Sequence, residues 1–167
     1  MEQKPSILPV EPTQALSQEE RWKENARIAN ALSEEVRGLL AGKLMLIVED
    51  QLLNKHRVCL GFRGFSEGKH FIMAENLDAV RLMTWSEIAI LITDMDFPLA
   101  EGGPIFPNAG MQLLQEANRQ GVPAAASTSR EDYDCSYPPN ISKGNYGIQD
   151  LEIIRNLLSG LTDSTPS

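Results

Sequence analysis

The sequence predicts a doubly wound α/β domain, a five-stranded parallel sheet with helices on both faces, preceded by an N-terminal helix. Three observations predict it. Short apolar runs alternate with helical patterns along most of the chain. The runs Lys43–Val48 (KLMLIV) and Ile88–Thr93 (IAILIT) are near-continuously apolar, as strands buried on both faces must be. The runs also end on acidic or hydroxyl residues, at the strand tips where open parallel sheets bind ligands.

In chain order, residues 1–16 hold prolines and few long apolar side chains and read as a flexible leader. Ser17 and Glu20 form a capping-box signature, which predicts a helix over 17–41 that Gly42 stops. Its apolar or small residues Trp22, Ala26, Ala29, Leu32, Val36 and Leu39 recur at helical spacing. That stripe packs either on the domain behind it or on a second copy, the latter giving a homodimer through this helix. The helix is expected to lie outside a domain over 43–161, so that removing residues 1–40 leaves a folded unit.

Within that domain, residues 52–63 are helical and closed by Gly64, with Cys59 in the core. Phe71–Ala74 is a second strand, and Asn76 caps a helix running to Met83. After the third strand, residues 97–109 carry three prolines and two glycines and form a loop. Gly110–Arg119 is a helix and Val122–Ser127 a strand of small residues. Residues 130–140 are polar and proline-rich, a short fifth strand ends near Lys143, and Asp150–Gly160 is the last helix. Residues 162–167 read as a frayed tail.

Composition excludes several classes. A net charge of −8 disfavours nonspecific nucleic-acid binding. No apolar run is long enough to span a membrane, and the first residues lack the pattern of a signal peptide. Cys59 and Cys135 form neither a metal-ligand spacing nor a disulfide framework. His56 and His70 read as surface residues. A cytoplasmic location is the expectation.

The chemically capable residues fall at the strand tips: Glu49 and Asp50 after the first strand, Asp94 after the third, Thr128 after the fourth and Lys143 after the fifth. Carboxylates gathered at one sheet edge repel one another and are tolerated when a cation sits among them. An all-oxygen site suits Mg²⁺. A carboxylate can act as a nucleophile to give an acyl phosphate, a lysine supplies a fixed positive charge, and a threonine supplies a directional donor. These are the parts for phosphoryl transfer to an aspartate.

At this point the chain resembles the response-regulator receiver domains of two-component signalling. LIVEDQ (Leu46–Gln51) resembles their acidic-pair segment. AENLDAVRLM followed by IAILITDMDFP resembles their second helix, third strand and phosphoacceptor turn, with Pro98 four residues after Asp94 and 44 residues separating Asp50 from Asp94. GMQLLQEANRQGVPAAASTS and SKGNYGIQDLEIIRNLL resemble the third helix with fourth strand, and the lysine segment with last helix. The resemblance covers roughly 43–161. It implies a flavodoxin-like fold and a stand-alone receiver. Asp94 would be the phosphoacceptor, and Mg²⁺ would be held by Glu49, Asp50, Asp94 and the carbonyl of Asp96. Thr128 and Lys143 would meet the phosphoryl group. The implied partners are a histidine kinase or phosphotransfer protein as donor and a downstream effector protein.

The chain also departs from that pattern. The stretch from Asp94 to Gly110 is longer than the usual turn, and the stretch from Thr128 to Lys143 is shorter. Gly144 stands where proline is usual, and Ile141 where an aromatic switch residue is usual. A phosphorylation-independent pseudo-receiver, acting only as a binding module, fits those departures. A different class also fits: Asp94-Met95-Asp96 resembles the D-x-D motif of haloacid-dehalogenase phosphatases, in which the first Asp is the nucleophile and the second the general acid/base. In a purely local reading Glu49-Asp50 is a strand end and helix cap, Asp94 and Asp96 are turn residues, Thr128 is a turn hydroxyl and Lys143 is a solvated lysine.

Overall fold

The computed structural model describes residues 16–128, 139–141 and 147–160. The expectations for the leader, the tail, Cys135 and Lys143 lie outside these residues. The elements are α1 (Gln18–Leu40), β1 (Leu44–Val48), α2 (Leu52–Gly61), β2 (Phe71–Ala74), α3 (Leu77–Arg81), β3 (Ile88–Thr93), β4 (Phe97–Pro98), β5 (Ile105–Phe106), α4 (Ala109–Arg119), β6 (Ala124–Ser127), β7 (Asn140–Ile141) and α5 (Ile148–Ser159).

The main sheet is five-stranded and all-parallel, in the order β2-β1-β3-β6-β7. This is the flavodoxin-like arrangement. Successive side chains on a strand point to opposite faces, so each buried run feeds two cores. Met45 and Ile47 of β1, with Ile90 and Ile92 of β3, pack under α1, α2 and α5. Leu46 and Val48, with Leu91, pack under α3 and α4. The near-continuous apolar runs thus reflect burial on both sides. Among the described residues no helix is long and apolar enough to cross a membrane.

The N-terminal helix differs from the expectation of a detachable element. It is capped as the sequence predicts, with Glu20 N–H donating to Ser17 Oγ at 3.1 Å and Ser17 N–H to Glu20 Oε1 at 2.9 Å. Its second half, however, supplies Leu32, Val36 and Leu40 to the same core as Met45, Ile92 and Ile154. Trp22 does not join them. By its residue count α1 is about 34 Å long, whereas its partner α5 is about 18 Å. The first turns of α1 overrun what they pack against.

Smaller differences have local causes. Among the described side chains of α2, Asn54 and Val58 are buried, followed by Phe62 just past the helix, a four-residue repeat that leaves Cys59 exposed and not in the core. The 97–109 loop contains a small antiparallel pair, with Phe97 opposite Phe106 and Pro98 opposite Ile105. The last helix begins at Ile148 because Asp150 caps it from inside, its Oδ2 accepting from Gly147 N–H at 3.2 Å.

Candidate functional site

The strand register brings the acidic residues together. β1 and β3 are neighbours, and Val48 is paired with Thr93. The next residues on each chain, Glu49 and Asp94, therefore leave the sheet side by side, about one inter-strand spacing apart (~4.8 Å). Backbone bonds hold both exits: Asp94 N–H donates to Val48 O at 3.0 Å, and Glu49 N–H to Ala74 O at 2.9 Å. Carboxylate oxygens of Glu49, Asp50 and Asp94 all lie within 4.8 Å of one another. Glu49 and Asp94 are buried and Asp50 is half-buried.

Local contacts orient these carboxylates. Met95 N–H donates to Asp94 Oδ1 at 2.8 Å. Gln51 N–H donates to Glu49 Oε1 at 3.0 Å, and the Gln51 side chain in turn accepts from buried Asn54. Asp50 Oδ1 is buried and accepts no hydrogen bond. A buried carboxylate oxygen without a donor is costly, and like charges this close cost on the order of 3 kcal/mol per pair at an effective dielectric of about 20. A hard divalent cation removes both penalties and prefers an all-oxygen donor set. The residues present fit such an ion, with Glu49, Asp50 and Asp94 as the groups that would hold it.

The Asp96 carboxylate is not part of this cluster. Its Oδ1 accepts from Asn108 N–H at 2.8 Å, bracing the end of the inserted hairpin where Asn108 takes a left-handed conformation (φ 62°) ahead of α4. Metal binding through the Asp96 backbone carbonyl remains an expectation.

A cleft of about 430 Å³ opens beside Asp50, between the β2–α3 junction (Glu75, Asn76, Ala79) and the first part of the insertion (Pro98 to Gly103). The insertion is tied down there, Asp78 N–H donating to Leu99 O at 2.9 Å. The acidic cluster is thus reached from solvent past the insertion. Glu75, in the cleft lining, forms an ion pair with Lys55 of α2 at 2.7 Å.

Thr128 lies at the same sheet edge. Thr93 pairs with Ala126, so β6 ends beside Asp94 and Thr128 follows one residue later, buried. Asn140 on β7 pins it from both sides: its Oδ1 accepts from Thr128 N–H at 3.0 Å and its Nδ2 donates to Thr128 O at 3.1 Å. The sequence reading missed Asn140, since nothing local shows that its amide faces a residue twelve positions earlier. It also missed Gly110, which packs on the Asp94 backbone; the only available signal was a glycine opening a helix after a long loop. Ile141 is buried in the first core.

The chain matches no protein-family model and no curated protein.

Proposed function

We propose that this chain is a receiver-like phosphoacceptor domain that takes a phosphoryl group on Asp94 with Mg²⁺. One observation carries the reading: Glu49, Asp50 and Asp94 offer oxygens within 4.8 Å of one another at the carboxyl edge of a parallel sheet. That is the edge where such sheets bind ligands.

A bound Mg²⁺ would neutralise charge on the transferring phosphoryl group. The chain's own residues do the rest. The Met95 N–H fixes the Asp94 carboxylate plane. An Asp94 oxygen attacks phosphorus as the bond from phosphorus to the donor nitrogen breaks, and the donor imidazole leaves with a proton. The product is an aspartyl phosphate. Thr128, held by Asn140, offers a hydroxyl at the same edge, and Lys143 is proposed as the cation that pairs with the new charge. The donor is a histidine kinase or phosphotransfer protein and the readout is contact with an effector protein, both in the cytoplasm. The engaged Asp96 carboxylate argues against its use as the general acid/base of a phosphatase.

Intact mass after incubation with a small phosphodonor and Mg²⁺, compared with Asp94→Asn, tests the reading. The wild type should gain one phosphoryl group and the variant none. Equal uptake by both would defeat the assignment. Sustained turnover of a generic phosphoester would favour the hydrolase. Failure of a beryllofluoride mimic with Mg²⁺ to raise stability would favour the pseudo-receiver.

A further inference from the structure

The overhang of α1 exposes Trp22, which is 63% accessible. Trp22, Ala26, Ala29 and Ser33 follow one another at spacings of four, three and four and share one helix face. Below Trp22 this face walls a groove of about 290 Å³, closed on its other sides by Gly61 at the end of α2, by Arg63 beyond it and by Ile148 of α5. Ser33 lines the groove at 6% accessibility, and its hydroxyl makes no hydrogen bond among the described residues. That hydroxyl is open to the groove and is not a buried unsatisfied atom, so it can accept a bond from whatever enters. An indole has the complementary need, an apolar body with one N–H that must be satisfied on burial.

We propose that the groove is a socket for Trp22 of a second copy of this chain, giving a two-fold homodimer in which each chain supplies one knob and one socket. Geometry favours this occupant. When the α1 overhangs pair antiparallel about a dyad between Asn25 and Ala26, Trp22 comes opposite Ala29 of the partner subunit. Helical side chains lean toward their own N-terminus; in an antiparallel pair that direction leads to Ser33 of the partner subunit. Ala26 at the dyad lets the backbones approach. Charge agrees as well: Glu19, beside Trp22 on this face, is carried toward Arg63 of the partner subunit, exposed at the socket rim. The indole fills the groove and Nε1–H donates to the Ser33 hydroxyl.

Sedimentation velocity of the full chain over a concentration series tests this. A monomer–dimer equilibrium is expected. In a Trp85→Phe background, Trp22 emission should shift to shorter wavelength as the dimer forms. Trp22→Ala should weaken association about a thousand-fold, two interface hot spots per dimer. Ala26→Arg should do the same while leaving the circular dichroism spectrum unchanged. Ser33→Ala should weaken it about thirty-fold, since the dyad makes each dimer lose two neutral hydrogen bonds. A wild type that stays monomeric throughout, or a dimer that survives Trp22→Ala, overturns the proposal.

Discussion

Gly110 lies against the backbone of Asp94 so closely that a Cβ at Gly110 would stand 2.3 Å from the Asp94 carbonyl oxygen and 2.8 Å from Met95 Cα. Gly110 N–H also donates to Met95 O at 2.9 Å. The start of α4 and the turn that carries the candidate acceptor are therefore one packed unit. Gly110→Ala must push them apart, because the obstacle is backbone and not a side chain that can rotate away. Overpacking of this kind costs about 1–3 kcal/mol. Urea unfolding should show that loss, and Mg²⁺ titration of the folded variant should show weaker binding.

Asp50 gives a sharper test of the metal site. Without an ion its buried oxygen is unsatisfied and adds to a like-charge cluster. Asp50→Asn should raise the stability of the metal-free protein by about 1 kcal/mol, since it removes repulsion. Mg²⁺ at ten times its dissociation constant should stabilise the wild type by about 1.4 kcal/mol and leave the variant nearly unmoved. Thermal melts with Mg²⁺ and with a chelator read both effects.

The Asn140 amide satisfies both backbone groups of Thr128. Asn140→Ala removes both of these bonds and should cost about 1–2 kcal/mol. Asn140→Asp keeps the acceptor for Thr128 N–H but sets an oxygen against Thr128 O. Hydrogen exchange at the Thr128 amide should rise in the alanine variant and stay slow in the aspartate variant. Equal exchange in both would mean that the amide does not hold Thr128.

Leu40 is buried in the core that joins α1 to the sheet. Leu40→Ala should cost about 2–5 kcal/mol, and deletion of residues 1–40 should fail to give a cooperatively folding chain. A truncated protein with a sharp unfolding transition would show that α1 is dispensable.

His70 sets a pH dependence away from the site. Its Nδ1 accepts from Ser66 N–H at 2.9 Å, and its ring meets Phe65 edge-on with centroids 5.6 Å apart. Burial first, then the charges of Lys69 and Arg37, hold its pKa below the ordinary value. The folded state resists protonation while the unfolded chain accepts it, so His70's contribution is complete above about pH 6.5 and drains away as pH falls through the lower folded value. Stability measured from pH 7.5 to 5 should fall less steeply in His70→Gln than in the wild type.

The elements and the identity of the acidic tips were legible because each is written locally. Apolar runs such as IAILIT mark doubly buried strands, and Ser17 with Glu20 marks a helix start. Cys59 was misplaced because a helical run of mixed residues leaves its buried face undetermined by one turn or less, and packing in the core chose Val58 and Phe62.

By itself the sequence determined that Glu49, Asp50, Asp94 and Thr128 would each end a strand. Only the tertiary structure decided that β1 and β3 are neighbours with Val48 opposite Thr93, which turns separate strand ends into one acidic cluster. It alone decided that α1 closes the core while Trp22 overhangs it, and that Gly110 must be glycine. The physical reason is the same in each case. Periodicity and capping act over a few residues along the chain, whereas register, overhang and close approach depend on which distant surfaces meet, and burial of both sheet faces selects that pairing collectively.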